Sequence, residues 1–210
     1  MKMINIVSLI LAVSCLFFTS FNDCWGQAEN LSIYKKPCIQ DQRYSGSKLM
    51  ICFVRDTGIL TSNSYEYWLH EFIDLPDSLK LLIVEKLLDF EGDTTICCLQ
   101  ANGWVFNGLD VARGVPKTKQ YSIEIDALFM INRLCWPKGI DWYSSYPVLF
   151  DTKENQEINF NPERIKCVFK EYRKWFTICK REGQIFKYFP FNDGRIVWFG
   201  GRKSLVPLDY

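Results

Sequence analysis

Histidine is almost missing from this chain: His70 is the only one in 210 residues. Any Ser-His-Asp or Cys-His mechanism must route through that one imidazole, and a zinc centre would have at most one to use. The string His70-Glu71-Phe72-Ile73-Asp74 carries Asp where the His-Glu-x-x-His zinc-protease pattern needs its second ligand. Glu66, four residues before His70, makes a pair on one helix face the plain reading. No Cys-x-x-Cys or Cys/His cluster has ligand spacing, so no metal site is expected. No cofactor is expected either. Gly200-Gly201 does not open a helical pattern and is no phosphate loop. An excess of one charge sign is missing too: 25 Lys and Arg against 24 Asp and Glu leave +1. That removes any global argument for nucleic acid or a membrane surface. Linkers, repeats and low-complexity tracts are absent, which predicts a single folded unit.

The one long apolar run lies at the start. After Lys2, the segment Met3 to Phe18 is interrupted only by Asn5, Ser8, Ser14 and Cys15. A polar stretch comes next and ends in Gly26-Gln27-Ala28, with small residues at −3 and −1 of a cut before Glu29. This is the layout of a secretory signal peptide, and it is too short for a membrane span. The expectation is a signal peptide over 1–28 and one globular domain over 29–210, exported to a periplasm or beyond, with no transmembrane span in the mature chain. Lipidation at Cys15 is the lesser alternative. Ala12-Val13-Ser14-Cys15 has Ala where a lipobox usually has Leu, and Leu16-Phe17-Phe18 stands where a solvated tether belongs. A retained anchor is the third reading.

Export bears on the seven cysteines after the cut: Cys38, Cys52, Cys97, Cys98, Cys135, Cys167 and Cys179. Some should pair in an oxidising compartment, and an odd number leaves at least one free or joined to another chain. A bond between the neighbours Cys97 and Cys98 would be strained. Cys167 and Cys179 fall on one helical pattern, roughly 18 Å apart at ~1.5 Å per residue, beyond disulfide reach. The competing reading for each is a buried thiol packing as a small apolar residue.

The remaining pattern predicts a mainly α domain (α+β minor), with about four to five helices and a few short strands or hairpins. Residues 30–47 read as an extended lead-in, and Lys48 to Val54 as a short strand. Helices are expected over Ser64–Phe72 and from Pro76 to Gly92, where Leu79, Leu82, Ile83, Leu87 and Phe90 recur at helical steps. Asp93 to Leu99 suits a further helix or a Thr- and Ile-rich strand, helix being preferred. Tyr121 to Cys135 is helical, and Pro162 to Arg181 most plainly so. There Asn161 is an N-cap, Pro162 fits the first position and Gly183 supplies a stop. Asn192-Asp193-Gly194 could turn a hairpin between 188–191 and 195–199. Phe, Tyr and Trp total 33 residues, enough area to build the core.

Charge is distributed unevenly. From Ser64 to Asp93 there are eight acids against Lys80 and Lys86, whereas Glu163 to Lys203 holds eleven bases against four acids. Either the two stretches face each other, or the basic one contacts an anionic partner. On the second reading, Arg195, Arg202 and Lys203 beside Trp198 and Phe199 form a basic–aromatic surface suited to an acidic protein face or an anionic glycan. Nucleic acid is not expected of an exported chain. Asp151, Glu154 and Glu157 lie around a loop and supply the acids an envelope-polymer hydrolase would need. Solvated acids are the default, and no catalytic residue is assigned.

Three segments add a likeness. Tyr121-Ser122-Ile123-Glu124-Ile125-Asp126-Ala127-Leu128, then Tyr146-Pro147-Val148-Leu149, then Tyr172-Arg173-Lys174-Trp175-Phe176 resemble spaced motifs of small exported bacterial proteins with no assigned activity. The resemblance covers roughly the last ninety residues and implies no active site. The expectation is a non-enzymatic binding or inhibitor-type protein. A small hydrolase and a structural envelope component are the alternatives. Nothing in the sequence selects an oligomeric state.

Overall fold

The computed structural model describes residues 30–38, 45–56, 58–62, 72, 74–101, 115–135, 146–186, 190–191 and 193–200. Strands β1 (Leu31–Pro37), β2 (Ser47–Arg55) and β3 (Gly58–Ser62) come first. Helices α1 (Asp77–Leu88) and α2 (Ile123–Cys135) come after them, then β4 (Leu149–Asp151), β5 (Gln156–Glu157), α3 (Pro162–Glu182) and β6 (Ile196–Trp198).

β1, β2 and β3 form an antiparallel sheet in chain order. Period-two alternation turns Leu49, Ile51 and Phe53 of β2 inward, and the register sets Ile33 opposite Ile51, with Leu31 and Leu60 opposite Phe53. α2 packs against β2 and is buried along its whole length. A helix buried on every face belongs at the centre of a core, and α2 sits there although Glu124, Asp126, Asn132 and Arg133 are among its buried residues. Its buried acids have backbone partners: Leu49 N–H donates to Asp126 Oδ2 (3.2 Å) and Gly92 N–H to Glu124 Oε2 (3.0 Å).

α1 packs on both α2 and α3. In α3 the Asn161 side chain accepts from Arg164 N–H (3.1 Å), Pro162 opens the first turn and Gly183 (φ 67°) ends the helix in the left-handed region. The buried stripe is the one its 3.6-residue period dictates, Ile165, Val168, Phe169, Tyr172, Phe176 and Cys179, with Trp175 added. The second sheet, ordered β5–β4–β6, is antiparallel. Trp198 of β6 fastens it to the helices: the ring lies 5.2 Å from Phe129 of α2, and its Nε1–H donates to Tyr172 Oη of α3 (3.3 Å). Removing such a buried indole costs about 3–5 kcal/mol.

The expected mainly α domain is corrected. Three helices and six strands in two antiparallel sheets, 37% helix and 25% strand among the described residues, make an α+β fold. Four segments account for the difference. Asp93 Oδ1 accepts from Thr95 N–H (3.1 Å), a local turn, and the chain then runs extended instead of entering a helix. Its backbone finds distant partners: Ser47 N–H to Ile96 O (3.3 Å), Cys98 N–H to Ser47 O (3.0 Å) and Cys97 N–H to Tyr121 O (2.7 Å). Gly46 allows that approach, because a Cβ there would lie 2.3 Å from the Ile96 oxygen. The lead-in over 30–47 contains β1, and 58–62 forms β3, both short strands defined by pairing with β2. Lastly, β6 pairs with β4, and the hairpin expected between 188–191 and 195–199 lies partly outside the described residues. The helix expected at Ser64–Phe72, with His70 and Glu66, also lies outside them apart from Phe72.

Candidate ligand-binding groove

A groove of about 880 Å³ opens between residues 115–120, the β4–β5 hairpin and the end of β6. The hairpin is built by local chemistry. Asp151 Oδ1 accepts from Lys153 N–H (2.8 Å) and Glu154 N–H (2.9 Å), and Asn155 adopts a left-handed conformation (φ 52°) that closes the four-residue loop. Glu157 then reaches across and accepts Lys117 N–H and Thr118 N–H, both at 2.7 Å. One carboxylate thus fixes the 115–120 wall to the hairpin. Phe150, Phe160 and Phe199 line the groove. Phe199 stands edge-on to Phe150 (5.7 Å) and Tyr146 (5.8 Å), while Phe160 at the rim is 65% exposed. Lys117 and Lys119 add positive charge, and the carboxamides of Gln120, Asn155 and Gln156 add paired donors and acceptors.

Beneath the hairpin, Asp151 is fully buried. Its Oδ2 pairs with the Arg164 guanidinium at the start of α3 and lies 3.6 Å from Arg195 Nε just before β6. The cluster ties three elements of the second sheet region together and leaves Asp151 without access to a substrate.

The residues singled out in the sequence fall in different places. Phe199 lines the groove. Trp198 is in the core, 1% exposed, and offers no surface. Arg195 is half-exposed but directed at Asp151. Arg202 and Lys203 lie outside the described residues. Of the loop acids, Asp151 and Glu157 are committed to structural partners and Glu154 is exposed. Of the three acids, Glu157 alone is in the groove lining.

Sequence reasoning missed Phe160 for a physical reason. It precedes the α3 N-cap, where an apolar residue ordinarily packs on the fourth helical position, Ile165. Ile165 is buried, yet Phe160 projects to solvent. Only the fold reveals that mismatch.

Cys38 and Cys98 form a disulfide across a separation of 60 residues, Cα atoms 6.4 Å apart, joining the end of β1 to the 96–98 segment. Closing a loop of that length stabilises the fold by about 2–4 kcal/mol. Cys52, Cys97, Cys135, Cys167 and Cys179 are free thiols. Burial and the Asp126 carboxylate push Cys97 far up, and burial with the Cys179 neighbour raises Cys135. Burial pushes Cys179 up to about 11, against a hydrogen bond from Phe186 N–H. These three stay protonated at neutral pH and make poor nucleophiles. Among the described residues no group of three His, Cys, Asp or Glu side chains is placed to hold a metal ion. No described helix is long and apolar enough to cross a membrane.

No family model, curated protein or solved structure matches the chain. The functional reading therefore rests on the groove itself.

Proposed function

We propose that this is an exported, non-enzymatic binding protein that holds an acidic ligand in the groove beside Phe199. The carrying observation is Phe160, 65% exposed at the rim of a groove whose lining carboxylate, Glu157, is engaged by two backbone N–H groups. Covering an exposed phenyl ring yields up to about 1.5–3 kcal/mol. Each exposed lysine contact adds only about 0.2–1 kcal/mol. The rings therefore supply affinity, and the lysines supply the choice of sign and the rate of encounter. The leader and the Cys38–Cys98 disulfide support export. The burial of Asp151 and the engagement of Glu157 argue against the hydrolase reading.

Isothermal titration of the folded chain with poly-L-glutamate and with polygalacturonate tests this reading. Saturable binding to at least one polymer is expected, weakening with added salt and falling at least tenfold in the combined variant Lys117→Glu/Lys119→Glu/Phe160→Ala. Absence of binding to both polymers, or binding indifferent to those substitutions, would refute it.

A further inference from the structure

The groove also distinguishes between acidic ligands, provided that it is the binding site proposed above. A peptide added to a sheet edge needs free backbone N–H and C=O groups along one wall. Here the 115–120 wall has spent several of them. Lys117 and Thr118 N–H are held by Glu157, and Lys119 O accepts Ala101 N–H (3.0 Å). Beyond that wall, the groove presents side-chain chemistry. The carboxamides of Gln120, Asn155 and Gln156 each donate and accept, which matches hydroxyl groups that do the same. Phenyl faces suit the apolar C–H face of a pyranose ring, and the groove volume falls in the ~300–1,000 Å³ range of small-ligand sites. The two lysines favour negative charge on the same molecule. We infer that the ligand is an acidic oligosaccharide whose sugar rings carry carboxylates, held by Phe150, Phe160 and Phe199 with Lys117 and Lys119 on the carboxylates.

The test is a nuclear magnetic resonance titration of the ¹⁵N-labelled chain with three probes: tetragalacturonate, its methyl ester and a tetraglutamate peptide. Tetragalacturonate is expected to shift the side-chain amide signals of Gln120, Asn155 and Gln156, and to bind at least tenfold more tightly than either other probe. Asn155→Gly keeps the left-handed backbone accessible while removing the carboxamide, and should weaken the uronate at least threefold. Phe160→Ala, at an exposed position, should weaken it tenfold. Tetraglutamate binding in the groove as tightly as the uronate would overturn the glycan inference and leave the groove reading standing. Equal binding of the methyl ester would overturn the role of charge. Silence of the groove signals with all three probes would overturn both readings.

Discussion

Replacing Asp151 with asparagine would remove the charge shared by Arg164 and Arg195 while keeping an acceptor for the N–H groups of Lys153 and Glu154. Stripping one member from a buried pair costs about 3–5 kcal/mol. Arg164 is 22% exposed and Arg195 50%, so water compensates in part. The expected loss for Asp151→Asn is about 2–3 kcal/mol in urea unfolding. A change under about 0.5 kcal/mol would contradict the structural role given to this carboxylate. The sequence shows that Asp151, with Glu154 and Glu157, lies around a loop. It does not show the arginines, because one is brought by a helix start and the other by a strand more than forty residues away. The same holds for Trp198, whose surroundings on α2 and α3 decide that it is core and not surface.

At the scale of elements, local signals determine α3 and, largely, α1 and α2. Cap, proline, stripe and stop agree in α3, and nothing distant competes with them. Local signals fail at 93–99, where the winning hydrogen bonds come from Ser47 and Tyr121. Asp93 joins that segment to the first sheet through Lys35 Nζ (2.7 Å). Burial alone would raise its carboxyl, but hydrogen bonds from Lys35 and Thr95 prevail and hold it below the ordinary carboxylate value. A carboxyl depressed in the folded state stabilises the fold above its unfolded value, near ~3.9, and loses that contribution as pH falls through the folded one. Thermal melts between pH 5 and pH 2 should therefore show a shallower acid decline in Asp93→Asn than in the unaltered protein. Identical acid limbs would contradict the Lys35–Asp93 clasp.

At the scale of the molecule, part of the charge imbalance is spent internally. Arg173 of α3 binds Glu91 (2.9 Å) and the Leu88 carbonyl (2.8 Å), and Lys180 binds Glu85 (2.5 Å), so the acidic and basic stretches meet at the α1–α3 face. Positive charge left for a partner then includes the groove lysines, which no sequence motif marks because residues 117–119 and 150–160 meet in the fold, where Glu157 bridges them. The functional account assumes a compartment where Cys38 and Cys98 stay oxidised. The direct measurement is the intact mass of the chain recovered from its native cells, alkylated in denaturant with and without prior reduction. The account predicts a chain beginning at Glu29 that takes up five alkyl groups before reduction and seven after it. A chain still beginning at Met1, with all nine cysteines alkylated before reduction, would contradict it.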